Sequence, residues 1–204
     1  MFSYIWMKIL ETQPRRYDLG ISMLSLGAAR RMKDRLVDDN VRAGDRVLEI
    51  GCGTGTMAVN AAMRGAWVLA FDVSAPMLDV AREKVEAEDL SRQVELMEMG
   101  ISGMEKFSDG EFDLVMSTLV FSELSPDERV YALEHAFRVL RSGGRLAVAE
   151  PRRLVGQHLL GFVDFRAFEG GEPRDLIERQ LGEELEEAFD VGIFRVAPEL
   201  PVVV

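Results

Sequence analysis

The sequence predicts an α/β fold in which a mostly parallel sheet carries helices on both faces. Two apolar runs, residues 46–50 and 66–71, have the length of buried strands, and each is followed by a stretch with helical spacing. A glycine-rich segment, residues 51–55, lies between the first run and its helix. Alternation of strands and helices is typical of parallel sheets, because a crossover helix must return the chain before the next strand begins.

Length and composition indicate one globular domain. The chain has 204 residues, of which 48% are hydrophobic and 29% are charged, enough for one core and too few for two comfortable ones. A net charge of −11 disfavours nucleic-acid substrates, because such a surface repels phosphate backbones. The single cysteine, Cys52, cannot form an internal disulfide, so we expect a cytoplasmic location. No His/Cys grouping has metal-ligand spacing, and no metal is expected.

The glycine-rich segment predicts a ligand site at the carboxyl end of the first strand. Glycine has no Cβ, so the backbone can turn sharply there and approach a ligand closely. The amides of the turn and the N-terminus of the next helix present partial positive charge. Glu49 adds an acceptor beside the turn. Cys52 is interpreted as a small side chain packed under it, with a nucleophilic thiol as the alternative.

Asp72 supports a nucleoside-containing ligand. It ends the second apolar run, about 20 residues after the turn, where a carboxylate can accept both hydroxyls of a ribose. The alternative is that Asp72 caps the next helix, a role that suits Ser74 better. The third glycine, Gly55, comes one residue earlier than in dinucleotide-binding loops, where Thr56 stands instead. This spacing disfavours a nicotinamide cofactor.

Several spaced segments together resemble the class I S-adenosylmethionine-dependent methyltransferases, a family with a Rossmann-like fold. They are VLEIGCGTG at 47–55, FDVSAPML at 71–78, FDLV at 112–115 and RVLRSGGRLAVAEP at 138–151. Residues 16–19 and 26–33 further resemble the ubiquinone/menaquinone C-methyltransferase branch. Residues 3–21 and 119–133 are similar, more faintly, to methyltransferases associated with corrinoid proteins.

The resemblance implies a mostly parallel seven-stranded sheet with one antiparallel edge strand, the last two strands falling at residues 191–196 and 202–204. It also implies direct in-line transfer of the sulfonium methyl group of S-adenosylmethionine to a small, partly hydrophobic acceptor, with S-adenosylhomocysteine as product. The implied cofactor-binding residues are Tyr17, Glu49, Gly51, Cys52, Gly53, Gly55, Asp72, Val73, Met77, Ile101, Ser102, Ser117 and Thr118. Ile101 stands where many relatives place an Asp that accepts the adenine amino group, so Ser102 or a backbone carbonyl would take that role.

The N-terminal residues precede this core, and residues from both ends of the chain are predicted to contact the acceptor. We expect residues 1–40 to form a helical cover, with one helix over 22–38, and residues 41–204 to form the methyltransferase core. Residues 1–20 are either a mobile cover over the ligand or ordinary core filling. The predicted acceptor walls are Tyr4, Trp6, Tyr17, Phe121, His158 and Phe162. Glu123 and His158 are weak candidates for a base, and no catalytic residue is assigned.

The helix after the fourth strand has two predicted features. Ser125, Pro126 and Glu128 form a capping-box pattern at its start. Val130, Leu133, Phe137 and Leu140 form its apolar stripe, and Gly143 and Gly144 end it.

Other classes of function remain open from the sequence. A non-catalytic cofactor-binding module on a degenerate methyltransferase fold is one, in view of Ile101. A methyltransferase that serves a corrinoid protein, and therefore has such a protein as partner, is another. An RNA or protein methyltransferase is a third, opposed by the acidic charge in the RNA case and by the absence of an Asn-Pro-Pro-Tyr-like motif after the fourth strand.

Overall fold

The computed structural model describes residues 13–25, 27–149 and 192–195. It begins with two helices, α1 (Pro14–Leu24) and α2 (Ala28–Asn40). The expectation of one helix over residues 22–38 is therefore wrong. Gly27 separates the two helices with φ +76°, a left-handed conformation that does not continue a right-handed helix.

Strands and helices alternate from residue 46 onward. The elements are β1 (Arg46–Ile50), α3 (Thr56–Met63), β2 (Trp67–Asp72), α4 (Ala75–Ala87), β3 (Val94–Glu98), β4 (Phe112–Thr118), α5 (Pro126–Val139) and β5 (Leu140–Ala149). Two short 3₁₀ turns, Ile101–Lys106 and Phe121–Glu123, follow β3 and β4. A last strand, β6, comprises Gly192–Arg195.

The strands form a sheet of order β3-β2-β1-β4-β5-β6. Strands β1 to β5 are parallel to their neighbours, as the alternation of strands and helices predicts. The chain leaves β1 toward β2 on one side and returns with β4 on the other. Open α/β sheets bind ligands at such a switch point, in the crevice outside the carboxyl ends of the strands.

The last two strands of the predicted seven-stranded sheet would lie at the edge beside β5. Strand β6 pairs antiparallel with β5, and Phe194 lies opposite Leu146. The strand expected at residues 202–204 lies outside the described residues. The seven-stranded sheet with an antiparallel edge strand therefore stays a prediction.

Apolar side chains fill both faces of the sheet. Neighbouring residues of β1 point to opposite faces, so Val47 and Leu48 belong to different clusters. Val47 packs with residues of α2, α3 and α4, whereas Leu48 packs with residues of α5 and the first 3₁₀ turn. Burial on both faces is the usual state of a parallel sheet and requires helices on each side.

Helix α5 confirms one prediction and corrects another. The capping box is present, because the Ser125 amide donates to Glu128 Oε2 at 2.8 Å and the Glu128 amide donates to Ser125 Oγ at 3.4 Å. The predicted stripe is wrong in part, since Val130 is 41% exposed. The buried residues of the helix are Ala132, Leu133, Ala136 and Val139. The helix also ends at Val139, before the two glycines, because β5 already begins at Leu140.

We predict that Gly55→Ala destabilises the fold more than Gly44→Ala. Both glycines have positive φ, +71° and +85°, so both substitutions carry a backbone cost of about 1 kcal/mol. A Cβ at residue 55 would lie 2.8 Å from the Ala81 Cβ, whereas one at residue 44 would meet nothing within 4 Å. Overpacking at residue 55 should add roughly 1–3 kcal/mol. Urea unfolding measures the difference, and equal losses for the two variants would contradict it.

Candidate functional site

A cavity of about 670 Å³ opens at the carboxyl ends of the central strands. Its volume lies within the roughly 300–1,000 Å³ typical of small-molecule sites. The segments that follow β1, β2, β3 and β4 form its walls, together with one residue each from α1 and α2. The predicted site residues that line it are Tyr17, Gly51, Cys52, Gly53, Asp72, Val73, Met77, Ile101, Ser102 and Thr118.

Three predicted site residues are not among those that line this cavity. Gly55 packs against Ala81 and begins α3. Ser117 is fully buried in β4 and donates its hydroxyl to the Ile50 carbonyl at 3.0 Å. Glu49 is buried within β1. These three residues support the cavity wall from behind, and direct ligand contact by them stays a prediction.

Asp72 links the second strand to the glycine turn. Its Oδ2 accepts a hydrogen bond from the Gly53 amide at 2.7 Å, and its Oδ1 accepts one from the Ser74 amide at 2.9 Å. The Ser74 hydroxyl makes no capping hydrogen bond, so the expectation that the Ser74 side chain caps α4 is wrong. Each carboxylate oxygen has a second lone pair. Asp72 can therefore hold the turn and accept ligand hydroxyls together.

Gly53 leaves open space where a side chain would stand. Gly53 has φ +53° and lines the cavity. A Cβ built on it would point into open space, with nothing within 4 Å. The backbone of this turn is therefore directly accessible from the cavity. An elongated ligand can lie against it at van der Waals distance, as the glycine pattern predicts.

Glu49 is a buried carboxyl group directly behind the turn. It is 2% exposed, and its Oε2 has no hydrogen-bond partner. Burial raises the pKa of Glu49 to about 8, although Lys33, a backbone hydrogen bond from Ala58 and Lys84 act in the opposite direction. The charge of Asp72 adds to the increase. The group is consequently protonated over most of the neutral range.

Cys52 behaves as a packed side chain. It is 4% exposed, and burial raises the pKa of its thiol, with further increases from Glu49 and Asp72. A protonated thiol is a poor nucleophile. These features favour the packing interpretation of Cys52 over the nucleophilic one.

A polar cluster joins α1 to the glycine turn and α4. The Thr54 hydroxyl lies 2.8 Å from Asp18 Oδ2, and Lys84 Nζ lies 2.5 Å from the same oxygen. Lys84 also donates to the hydroxyls of Thr54 and Thr56, each at 3.0 Å. This cluster fixes α1 beside the turn and so places the neighbouring Tyr17 at the cavity wall.

The segment after β3 forms the opposite end of the cavity. Gly100, Ile101 and Ser102 line it, at the position where the resemblance implies adenine recognition. Tyr131 of α5 faces the same segment, with its hydroxyl 2.9 Å from Glu105 Oε1 and 3.3 Å from the Ser102 carbonyl oxygen. The carbonyl of Ser102 is therefore already within reach of a donor from the protein.

Several cavity residues were not predicted from the sequence. They are Lys33 of α2, Leu119 and Val120 after β4, and Asp127 and Tyr131 of α5. Leu119 has φ +63°, an uncommon conformation for a residue with a side chain. The positions of all these residues depend on how distant elements pack, and no local pattern indicates them.

The predicted acceptor walls are only partly described. Tyr17 lines the cavity, whereas Phe121 is 3% exposed and packs in the core cluster beneath α5, so its assignment to a wall is wrong. Tyr4, Trp6, His158 and Phe162 lie outside the described residues. Of the two base candidates, Glu123 lines the cavity.

The helices in the described part of the chain include none that is long and apolar enough to cross a bilayer. The His, Cys, Asp and Glu side chains of the same part form no group of three or more that could hold a metal ion.

Comparison with known proteins agrees with this geometry. The family described as "Methyltransferase domain" matches residues 47–144. A demethylmenaquinone methyltransferase of Thermus thermophilus is 39% identical over 138 residues, which are 66% of this chain and 60% of that protein. The ubiquinone/menaquinone biosynthesis C-methyltransferase UbiE of Xylella fastidiosa is 31% identical over 167 residues, which are 79% of this chain and 64% of that protein.

Solved structures show the same fold. The [4+2]-cyclase SpnF has 28% sequence identity and a TM-score of 0.55, over 62% of this chain and 46% of that one. This similarity agrees with the parallel α/β sheet described above.

Residues 47–144 match the methyltransferase-domain family, in agreement with the resemblance to the class I S-adenosylmethionine-dependent methyltransferases. Within it, the chain is similar to the quinone C-methyltransferases named above. The resemblances to the class I methyltransferases and to the quinone C-methyltransferase branch are thus confirmed, whereas the fainter one to corrinoid-associated methyltransferases stays a prediction. The chain spans about 60% of the length of these curated relatives.

We predict that the buried Glu49 makes stability depend on pH. Its ordinary pKa of 4.5 applies in the unfolded chain, and its folded pKa is about 8. As the pH rises from 4.5 toward 8, the unfolded chain loses this proton first, so the free energy of unfolding falls and then levels off. Glu49→Gln cannot ionise and should flatten that fall. Urea unfolding between pH 5 and 8 measures it.

Glu95→Gln is the matched control, because Glu95 is an exposed carboxylate on the edge strand β3. This variant should follow the wild-type pH dependence. If the Glu49→Gln and wild-type curves run parallel over this range, the assignment of a protonated Glu49 is wrong.

Proposed function

We propose that this protein is an S-adenosylmethionine-dependent methyltransferase that acts on a small, partly hydrophobic acceptor. The observation that carries the proposal is the pairing of Gly53 and Asp72 across the mouth of one cavity. Gly53 leaves its backbone open to the cavity, and Asp72 presents a carboxylate directly beside it. The family match of the surrounding residues supports this interpretation.

The described residues fit such a cofactor from end to end. The turn at Gly51 to Gly53 would face the methionine part, and Asp72 would accept the ribose hydroxyls. Met77, Ile101 and backbone groups of the Gly100 segment would surround the adenine. The cavity is large enough for the cofactor together with part of an acceptor.

When bound, S-adenosylmethionine supplies an electrophilic methyl group on a sulfonium centre. The protein's part in methyl transfer is to hold the acceptor in line and to exclude water. The apolar side chains of Phe71, Val120 and Leu124 suit the second task, because they line the cavity. Glu123 lines the cavity and is the residue to which we assign the holding of an acceptor proton, where the acceptor must lose one.

The acceptor is proposed to carry a flat apolar ring. Apolar walls gain binding energy from desolvation of such a group, without a paired charge. The names of the quinone C-methyltransferase relatives support this choice. A corrinoid-protein partner rests on a faint sequence resemblance alone. The cytoplasmic location is proposed from the single cysteine, and the seven-stranded sheet from the resemblance to class I methyltransferases.

A second candidate function is a reaction other than methyl transfer on the same fold. The similarity to the [4+2]-cyclase favours it, since that protein shares 28% identity with this chain. A non-catalytic cofactor-binding module on this fold is a further alternative. Turnover of S-adenosylmethionine distinguishes methyl transfer from both.

We predict that calorimetry detects binding of S-adenosylmethionine and S-adenosylhomocysteine, and none of NAD. Asp72→Ala should weaken S-adenosylhomocysteine binding by roughly 2–4 kcal/mol, because two charge-assisted hydrogen bonds are lost. Binding of neither adenosyl compound by the wild-type protein would refute the proposed function.

Two variants separate ligand contact from support of the turn. Asp72→Asn keeps an acceptor for the Gly53 amide but has no charge, so its affinity should lie between those of the wild type and Asp72→Ala. Asp79→Ala removes an exposed carboxylate from α4, where Asp79 pairs with Arg82, and should leave affinity unchanged. Full affinity in a folded Asp72→Ala variant would refute the ribose assignment.

We predict methyl transfer to a demethylated quinone-type acceptor rather than to RNA. Incubation with S-adenosylmethionine labelled in its methyl group should move the label into a short-chain demethylmenaquinone analogue. Transfer RNA should stay unlabelled because the chain is acidic. Binding of the cofactor without label transfer to any acceptor offered would favour the second candidate function.

A further inference from the structure

A lysine at the cavity wall carries a charge that the described part of the protein leaves without a direct partner. Lys33 of α2 lines the cavity and is half-buried. The described residues give its ammonium group no hydrogen bond and no salt bridge. In a chain of net charge −11, a half-buried cation without a partner is unexpected.

The ionisable groups that the charge of Lys33 affects indicate that Lys33 lies at the glycine-turn end of the cavity. Its charge acts on Glu49, Cys52 and Asp18, all of which lie at the glycine turn. None of the three is available as a counter-ion. Asp18 is paired with Lys84, the Cys52 thiol is protonated, and burial raises the pKa of Glu49 to about 8. Lys33 thus lies near the turn without a direct counter-ion among the described residues.

We propose that Lys33 binds the α-carboxylate of the cofactor's methionine part and thereby selects ligands that carry this group. The inference rests on the proposed function, in which the glycine turn faces that part of the cofactor. A half-buried ammonium group at a cavity wall gains most from a carboxylate, because a charge-assisted hydrogen bond is stronger there than in water.

The test compares two ligands that differ only in this group. Calorimetry is performed with S-adenosylhomocysteine and with its decarboxylated analogue, on the wild type, Lys33→Met and Lys33→Arg. Lys33→Met should weaken S-adenosylhomocysteine binding roughly 10- to 100-fold, as expected for the loss of one hydrogen bond between charged groups. The same variant should bind the decarboxylated analogue as the wild type does. Lys33→Arg should retain most of the affinity for S-adenosylhomocysteine.

Arg30→Met is the matched control. Arg30 lies on the same helix with a side chain that is 78% exposed, so its removal changes the net charge equally without changing the cavity. This variant should bind both ligands as the wild type does. Thermal melting without ligand establishes that each variant is folded. Should Lys33→Met not fold, Lys33→Gln, which removes the charge but keeps a polar side chain, takes its place in the same comparison of the two ligands.

Two results would overturn the inference while leaving the proposed function intact. Unchanged S-adenosylhomocysteine affinity in Lys33→Met would show that the lysine does not bind the carboxylate. Equal losses for both ligands would show that Lys33 supports the fold or the general field of the site. A wild-type protein that binds neither ligand would instead refute the proposed function itself.

Discussion

The hydrogen bond from the Gly53 amide to Asp72 is the contact on which the candidate site depends. Strands β1 and β2 are parallel neighbours, and their register places Ile50 beside Phe71. The next residues of the two strands therefore emerge side by side, and the carboxylate can reach the turn. This bond orients the turn, and the Ser74 amide on the other oxygen ties the same carboxylate to α4. One side chain thus fixes two of the cavity's walls.

A second carboxylate holds the turn from the opposite side. Asp18 contacts Thr54 and Lys84, so α1 is attached to the turn and to α4 by one cluster. Burial alone would raise the pKa of Asp18, but the hydrogen bond and charge of Lys84, together with Thr54 and Lys33, lower it overall. The N-terminal helices described here are thereby part of the site's framework. A separate cover formed by residues 1–40 remains a proposal for the part that precedes residue 13.

The carboxyl groups around one turn have opposite electrostatic roles. Glu49 has no cation in contact and its pKa is raised, whereas Asp18 has Lys84 in contact and its pKa is lowered. Burial and partners both differ, since Glu49 is 2% exposed with no cation in contact, whereas the Asp18 side chain is 41% exposed and pairs with Lys84. A neutral Glu49 behind the turn does not compensate the positive charge of Lys33. The acidic net charge of the chain therefore does not describe this end of the cavity.

The sequence by itself determined the order of strands and helices, the glycine turn and Asp72, because these depend on short-range patterns. Buried strands need apolar runs, a sharp turn needs glycine, and parallel strands bring their carboxyl ends together. Only the tertiary structure decided that Lys33, Leu119 and Tyr131 reach the same cavity. It also showed that Phe121 belongs to the core and that Ser117 and Gly55 lie behind the cavity wall. The reason is physical: whether a side chain faces a cavity or a core depends on the packing of helices that are far apart in the sequence. No periodicity within one element records that packing.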